Sequence, residues 1–315
     1  MVKIESMKKI QIIIPSYNEE GNIKEIYSQL LDSFELNKNY QFSILFVENG
    51  SSDNTYGEIL KLTKADKKVK MLKLSRNFKM DGAIAAGLES FEGDAAVIMT
   101  ANLQDDPAVI SQFIKKWEEG YEQVYGIVSR RPGKSFIRKL NSRLFYKIVN
   151  KFSDSLIPEN VSDFRLVDKK VVNAVKSLDE VNRFYRGFFS WVGFKSIGIE
   201  FERQKRFSGK SHAKTIPVLN FAIRGLLAFS TKPLRVSIVF TLVTSILSIT
   251  ILIYQIFNWI RNGVPFDGFG TLVGVLLLFF SLIFLILSIV SEYLGLIYEE
   301  TKKRPHFIVS DKVNF

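Results

Sequence analysis

Residues 10–20 read IQIIIPSYNEE, in which an isoleucine-rich run is followed at once by a proline and a polar turn. Such a run is apolar enough to be buried on both faces, which predicts a central β-strand over Ile10–Ile14. Four similar runs follow at Phe42–Val47, Val69–Leu74, Ala95–Met99 and Gln123–Val128. Helical patterns lie between them, among them Ile23–Phe34, Asn54–Ala65 and Ala83–Ser90. This alternation predicts an α/β domain with a mostly parallel sheet that is covered by helices on both faces.

Polar residues stand at the carboxyl ends of the first two predicted strands, where open α/β sheets bind their ligands. Pro15 lacks an N–H group and is expected to end the strand ladder, and Tyr17 offers a flat face on which a base can stack. Glu48 ends the second strand with an acceptor for the imide N–H of uracil or a donor group of guanine. Gly50 and Ser51 supply a tight turn with free backbone N–H groups. Either segment alone is a common turn, but their order at successive strands predicts a nucleotide pocket.

Composition excludes several classes of protein. The chain has 315 residues, a formal net charge of +11, no cysteine and two histidines. Disulfides, thiolate zinc sites, iron–sulfur clusters and cysteine nucleophiles are therefore excluded, and a His-rich metal centre is not expected. The hydrophobic share of 47% is ordinary, but it is concentrated in the last quarter of the chain.

Two uncharged runs in that last quarter predict membrane spans at about 235–260 and 268–292, since roughly 20 apolar residues cross a bilayer as a helix. The short link between them makes a hairpin over 233–298. Lysine and arginine flank its two outer ends, which predicts a cytoplasmic sheet domain over 1–212 and a cytoplasmic tail over 299–315. Residues 213–232 are read as an interfacial amphipathic helix, or alternatively as a core helix. The hairpin predicts a location in the inner (plasma) membrane, with a multi-pass topology. No signal peptide is expected.

Seven motifs in order resemble glycosyltransferase family 2, and in particular its polyprenyl-phosphate sugar transferases. They are PSYNE at 15–19, ENGSSD at 48–53, SRNF at 75–78, LQD at 103–105, SDFRL at 162–166, NRF with RG at 182–187, and Arg206 with Gly209 and Ser211. The resemblance covers nearly the whole chain. It implies a GT-A fold, a nucleotide-sugar donor and an inverting, metal-assisted transfer.

The resemblance also implies roles for individual residues. The donor-binding set is Pro15, Tyr17, Glu19, Glu48, Ser51, Arg76, Asn77, Ala101, Asn102, Gln104 and Ser211. Arg130, Arg138 and Ser142 match positions that hold the acceptor phosphate, and Arg206 matches a position that contacts the donor diphosphate. Asp163 is expected either to orient the sugar or an arginine, or to be a structural partner of Arg165. For any single basic residue, a solvated or membrane-anchoring role is the simpler alternative.

The sequence departs from the family where similar proteins carry Asp-x-Asp, because the aligned residues are Thr100-Ala101-Asn102. About two formal negative charges are missing, and Mg²⁺ and Mn²⁺ prefer carboxylate and phosphate oxygens. Three interpretations stay open. A metal is held weakly by Asn102 and Gln104, with Asp105 as a further ligand, or the site acts without metal through Arg and Lys, or catalysis has been lost.

The predicted function is inverting transfer of one sugar from a nucleotide sugar, with UDP favoured, to undecaprenyl phosphate at the cytoplasmic membrane face. The lipid phosphate has a second pKa near 6, so it attacks as an anion and needs no general base. The alternatives are a non-catalytic pseudo-glycosyltransferase and a processive synthase, although the Gln-x-x-Arg-Trp motif of the latter is absent from the sequence. The expected partners are the nucleotide sugar, the lipid and the membrane, with no nucleic acid, and a homo-oligomer is compatible with the hairpin.

Overall fold

The computed structural model describes residues 7–130, 160–180, 183–204 and 268–315, with scattered residues between 243 and 263. The strands are β1 (Lys9–Ser16), β2 (Gln41–Glu48), β3 (Val69–Leu74), β4 (Ala95–Ile98), β5 (Gln123–Arg130), β6 (Val161–Asp168), β7 (Ser196–Glu202) and β8 (Val309–Val313). The α-helices are α1 (Ile23–Glu35), α2 (Thr55–Ala65), α3 (Lys79–Glu89), α4 (Ile110–Glu118), α5 (Lys169–Lys176), α6 (Tyr185–Trp191) and α7 (Phe269–Thr301), and a 3₁₀ turn covers Pro107–Val109. The five predicted strands and three predicted helices are confirmed, although α3 begins four residues earlier than expected.

The strands form one mixed sheet in the order β7-β5-β6-β4-β1-β2-β3-β8. Its central strands β4, β1, β2 and β3 are parallel, whereas β6 and β8 run antiparallel to their neighbours. Both faces of the sheet are buried. Ile12 and Ile14 of β1 pack into a core with α1, α2 and α4, while Ile13 packs into a second core with α3, α5 and α6. This two-sided burial explains why the central strands are continuously apolar.

The order in which successive strands are added to the sheet reverses next to β1. The order runs outward from β1 to β2 and β3, and β4 then returns to the other side of β1. Such a switch point opens a crevice at the carboxyl ends of the strands, which is where open α/β sheets bind ligands. Because β6 is antiparallel to β4 and β5, its amino end lies on the same side of the sheet as the carboxyl ends of β4, β5 and β7.

Pro15 does not end β1, as had been expected, because the ladder with β2 continues through Ser16, which pairs with Glu48. The carbonyl of Ile13 accepts a hydrogen bond from Met99 on the β4 side. Backbone groups two residues apart in a strand point to the same side, so the missing N–H of Pro15 also faces β4. The β1–β4 ladder stops at Ile13, and the proline therefore removes no ladder hydrogen bond.

One helix among the described residues is long and apolar enough to cross a membrane. Within α7, the segment Leu278–Thr301 has a mean hydropathy of 2.2 and is exposed on the protein. After α7, seven residues lead to β8, which pairs antiparallel with β3 at the edge of the sheet. The sequence did not predict this strand. Residues 213–232 lie outside the described residues, as does most of the first predicted span, of which only scattered helical residues are described.

Candidate active site

The loops that follow β1 and β2 are joined to each other by hydrogen bonds. Asn18 adopts a left-handed conformation with φ of 55°. Its Oδ1 accepts from the N–H of Ser52 at 2.8 Å, and its own N–H donates to Ser51 Oγ at 3.1 Å. The N–H of Glu19 donates to Thr55 Oγ1 at 2.8 Å. The first two polar turns found in the sequence thus form one connected rim of the crevice.

Glu48 is at the base of this rim and is 1% exposed. Its Oε1 accepts the N–H of Ser51 at 2.6 Å, which is the one hydrogen bond to this carboxylate among the described residues. The second carboxylate oxygen accepts no hydrogen bond from the residues that the structure describes. Gly50 follows with φ of 68°, and a Cβ there would lie 2.5 Å from the carbonyl carbon of Arg76. Only glycine lets the β3–α3 turn approach so closely.

Asn49 connects β2 to the β3–α3 turn through its side-chain amide. It is 3% exposed, and its Nδ2 donates to the carbonyl of Lys79 at 2.9 Å and to Asn77 Oδ1 at 3.3 Å. Its Oδ1 accepts the N–H of Phe78 at 2.9 Å. An aspartate could not make the two donated bonds, so the amide is required by the geometry.

The loop after β4 contains Thr100, Asn102, Gln104 and Asp105. Asn102 Oδ1 accepts the N–H of Gln104 at 3.1 Å and lies 3.0 Å from Thr100 Oγ1. The same hydroxyl lies 3.0 Å from Asp105 Oδ2. The carbonyl oxygen of Asn102 is thus turned into its own loop, and Leu103 completes the turn with φ of 56°.

Asp105 is fully buried and forms an ion pair that sequence reasoning missed. Arg203, which follows β7, donates from Nε to Asp105 Oδ1 at 2.9 Å and from its NH2 group to Oδ2 at 3.3 Å. The same NH2 group donates to Ser162 Oγ at 3.1 Å. The Asp106 carboxylate accepts from the N–H of Ala108 at the start of the 3₁₀ turn. The carboxylates closest to the β4 loop are therefore used within the protein.

Asp163, at the amino end of β6, pairs with Arg186 and not with Arg165. Arg186 donates to its two oxygens at 2.7 Å from Nε and at 2.6 Å from the NH2 group. Burial alone raises the pKa of Asp163, but Arg186, with Arg165 and Arg203, outweighs it and lowers the pKa to about 2. Arg165 instead donates to the carbonyl of Ser162, and its Cζ lies 4.4 Å from the centroid of the Phe189 ring, on which it stacks. The predicted role in orienting an arginine thus fits Arg186.

A second carboxylate near this ion pair, that of Asp81, has a raised pKa. Asp81, in the first turn of α3, accepts the N–H of Tyr185 at 3.3 Å. Burial and the negative charge of Asp163 raise the pKa of Asp81 to about 6. Neighbouring carboxylates whose environments separate their pKa values are common at functional sites. Asp81 belongs to no motif named above, so it was not predicted as a site residue.

The described residues do not fit a divalent metal at the position where the family resemblance implies one. No group of three or more Asp, Glu, His or Cys side chains capable of holding a metal occurs among them. Asn102 turns its oxygen inward, and Asp105 is paired with Arg203. The metal ligands proposed from the sequence, Asn102, Gln104 and Asp105, are therefore close in the chain without forming a ligand set.

Most of the predicted donor-binding residues lie together at the carboxyl ends of strands β1 to β4, either in the last residues of a strand or in the loop after it. They are Pro15, Tyr17, Glu19, Glu48, Ser51, Arg76, Asn77, Ala101, Asn102 and Gln104. Arg130 ends β5, and its backbone pairs with Glu202 of β7. The remaining predicted residues, Arg138, Ser142, Arg206 and Ser211, lie outside the described residues. Their roles stay predictions.

The family model for glycosyl transferase family 2 matches residues 11–176, just over half of the chain. The chain belongs to glycosyl transferase family 2. The family predicted from the motifs is thereby confirmed, and the mostly parallel, mixed sheet is the GT-A-like fold that the resemblance implied.

Full-length relatives of this family 2 protein carry glycosyltransferase names. An uncharacterized glycosyltransferase of Synechocystis sp. is 35% identical over 303 residues, which cover 96% of this chain and 95% of that one. The bactoprenol glucosyl transferase of Shigella phage SfX is 35% identical over 304 residues, with coverage of 96% and 99%. A prophage bactoprenol glucosyl transferase homolog of Escherichia coli K12 is 34% identical over 301 residues, with coverage of 96% and 98%. The prediction that the chain is a glycosyltransferase is confirmed.

Solved structures of glycosyltransferases align more distantly with this family 2 member. Staphylococcus aureus TarS 1-349 in complex with UDP-GlcNAc aligns with a TM-score of 0.49 and 15% identity, covering 70% of this chain and 66% of that one. Glucosyl-3-phosphoglycerate synthase from Mycobacterium tuberculosis, in complex with Mn²⁺, UDP-glucose and phosphoglyceric acid, aligns with a TM-score of 0.47 and 13% identity, covering 70% and 78%.

Proposed function

We propose that this glycosyltransferase moves one sugar from a UDP-sugar to a polyprenyl phosphate at the inner face of the plasma membrane. The observation that carries the proposal is the match to relatives named bactoprenol glucosyl transferase. It extends over 96% of this chain and therefore includes the apolar α7 as well as the sheet domain. A transferase that acts on a membrane lipid must reach the membrane, and α7 is long and apolar enough to enter it.

The arginines of the described crevice are paired within the protein, so we infer that arginines of the other family motifs bind the two phosphate-bearing substrates. Arg165, Arg186 and Arg203 act together on Asp163, and Arg203 also pairs with Asp105. Arginine suits phosphate oxygens because its planar fork makes two parallel hydrogen bonds. We expect the acceptor phosphate near Arg130, Arg138 and Ser142, and the donor diphosphate near Arg206 and Ser211, as the family motifs indicate.

The proposed chemistry is a direct displacement at the anomeric carbon. A phosphate oxygen of the lipid forms the new C–O bond while the bond to the UDP oxygen breaks, and the electron pair leaves with UDP. Attack from the opposite side inverts the configuration. The lipid phosphate is already largely ionised at pH 7, so no general base is needed. Asp163 fits this mechanism as a positioning residue, because its low pKa and its pairing with Arg186 keep it ionised.

The connection of α7 to the sheet supports a hairpin of two membrane spans. A helix of 33 residues is about 50 Å long, enough to cross a bilayer with a tilt. Its carboxyl end lies on the side of the sheet domain, because β8 follows within seven residues and joins β3. If α7 crosses the membrane, its amino end is on the other side. We therefore propose a second crossing before α7, by the segment whose described residues between 243 and 263 are mostly helical.

A non-catalytic role is the second candidate, since Thr100 and Asn102 replace the usual carboxylates. The double substitution Thr100→Asp with Asn102→Asp separates the two functions. Activity that appears only in the double variant would favour a decayed enzyme that still binds a nucleotide sugar. Activity in the natural chain that is lost in the double variant would favour a reworked, active site.

The proposed function is tested by transfer of label from UDP-[¹⁴C]glucose and UDP-N-acetyl-[¹⁴C]glucosamine into undecaprenyl phosphate. The full chain is purified in detergent, and the organic phase is counted after extraction. We expect labelled lipid with at least one donor, and none when the lipid phosphate is replaced by undecaprenol. An absence of labelled lipid with these and the other common nucleotide sugars would overturn the proposal.

A further inference from the structure

We propose that this chain holds the donor diphosphate without a divalent metal ion, using the side-chain amide of Asn102 as a hydrogen-bond donor to a phosphate oxygen. The inference rests on the proposed function, since it takes a nucleotide diphosphate as the ligand of the crevice. It concerns how that ligand is bound, and it departs from the metal-assisted binding that the family resemblance implies.

The orientation of the Asn102 amide is fixed by its neighbours. The backbone N–H of Gln104 can only donate, so the group 3.1 Å from it must be Oδ1 and not Nδ2. A rotated amide would place two donors against each other. Asn102 therefore uses its oxygen inside the loop, and its Nδ2 makes no hydrogen bond to any other described residue. Because the side chain is partly exposed, this NH₂ group remains available to an anionic ligand.

The carboxylates that could replace the missing metal ligands are occupied. Asp105 is 0% exposed and receives two hydrogen bonds from Arg203, and Thr100 Oγ1 lies 3.0 Å from its second oxygen. Rotating Asp105 outward to reach a metal would break this pair and leave Arg203 without its carboxylate. Asp106 is used at the start of the 3₁₀ turn. The loop therefore presents the NH₂ group of Asn102, while the oxygens of Asn102 and Asp105 are used inside it.

The neutral side chains of the loop after β4 also favour binding of the diphosphate without a metal ion. A pair of aspartates facing a diphosphate brings like charges together, and a divalent cation is needed between them to offset the repulsion. Thr100 and Asn102 are neutral, so this repulsion is absent and a direct amide–phosphate hydrogen bond becomes favourable. Hydrogen bonds to an ionised phosphate are stronger than those between neutral groups.

The test is the affinity for UDP of the full chain in detergent, measured by isothermal titration calorimetry in excess EDTA and again in millimolar MnCl₂. We expect the two dissociation constants to agree within about twofold, since no bridging ion contributes to binding. A dissociation constant that rises about tenfold or more in EDTA would overturn the inference and leave the proposed function intact. An absence of UDP binding in both conditions would overturn the inference together with the choice of UDP as donor nucleotide.

Two variants of Asn102 make the assignment specific. Asn102→Ala removes the donor, and Asn102→Asp replaces it with a negative charge. In EDTA both should weaken UDP binding by about tenfold or more, because a hydrogen bond to a charged group is lost. The matched control is Asn39→Asp, the same chemical change at an exposed position in the α1–β2 connection at the opposite edge of the sheet.

Mn²⁺ should partly restore UDP binding to Asn102→Asp and should not restore it to Asn102→Ala. Wild-type affinity in both Asn102 variants, each shown by its thermal unfolding to be folded, would overturn the assignment of the amide. Equal loss in the Asn39→Asp control would overturn it as well, because the effect would not depend on the β4 loop.

Discussion

Replacing Asp163 with asparagine should destabilise the sheet domain at neutral pH by an amount that follows from its ion pair. Arg186 donates to both carboxylate oxygens, at 2.7 and 2.6 Å. Although burial opposes ionisation, this arginine and its neighbours lower the pKa of Asp163 from 3.8 to about 2. That difference corresponds to about 2–3 kcal/mol of folding free energy, because one pH unit of pKa shift is worth roughly 1.4 kcal/mol. Asparagine still accepts one hydrogen bond, so we expect a loss of about 2 kcal/mol.

The effect has a defined pH dependence. The carboxylate has a lower pKa in the folded chain than in the unfolded chain, so its stabilisation is fully present above the unfolded value of about 4. It is lost as the pH falls toward the folded value of about 2. Wild type and Asp163→Asn should therefore differ by a nearly constant amount between about pH 7 and pH 5. The difference should shrink below about pH 4, to about a third of its full size at pH 2.5, and should vanish only below the folded pKa.

The assay is thermal unfolding of the full chain in detergent, followed by tryptophan fluorescence at several pH values. A loss of about 2 kcal/mol corresponds to a decrease in Tm of roughly 4–8 °C for a domain of this size. Asp32→Asn, at an exposed position of α1, is the matched control and should change Tm little. Equal Tm values for wild type and Asp163→Asn at pH 7 would refute the reasoning, and so would a difference that persists unchanged to pH 2.5.

Three further predictions concern neighbouring side chains. Arg203→Met leaves Asp105 buried without its partner, so the free energy of unfolding by urea should fall by about 3–5 kcal/mol, and adding Asp105→Leu should recover part of it. Asn49→Asp removes two donated hydrogen bonds and buries a charge, so the same measurement should show a loss of about 1–3 kcal/mol. Asp81→Asn should have the opposite sign, because burial and Asp163 raise the pKa of Asp81 to about 6. Its Tm should exceed that of wild type at pH 7 and match it below about pH 3, where Asp81 is protonated in both the folded and the unfolded state.

The part of the fold that could be predicted from sequence is the part with burial on both faces. Strands β1 to β5 appear as apolar runs because helices cover the sheet on each side. The three later strands lack this pattern. β6 carries Asp163 and Arg165 toward the crevice, β7 lies at one sheet edge, and β8, which reads VSDKV, lies at the other edge and is largely exposed. These three strands were not predicted because their polar side chains interrupt the hydrophobic runs on which the prediction rested.

The candidate site was predictable where consecutive residues form a turn and unpredictable where distant elements meet. The turns after β1 and β2 are local, and their motifs revealed them. The Asp105–Arg203 pair joins residues 98 apart, and it depends on a strand order that no local pattern records. The sequence leaves two roles open for Asp163, either orienting the sugar or an arginine, or pairing with Arg165. In the structure Arg186 reaches it from the amino end of α6. The family motif around Arg186 was visible, but its partner was not.

The central claim is most directly tested by identifying the nucleotide that is released when the purified chain is given a UDP-sugar and undecaprenyl phosphate. Displacement at the sugar carbon predicts UDP, in a one-to-one ratio with the glycosylated lipid, and no release beyond background hydrolysis when the lipid phosphate is omitted. Release of UMP would show that the sugar phosphate was transferred instead. That result, or UDP formation independent of the lipid, would contradict the account.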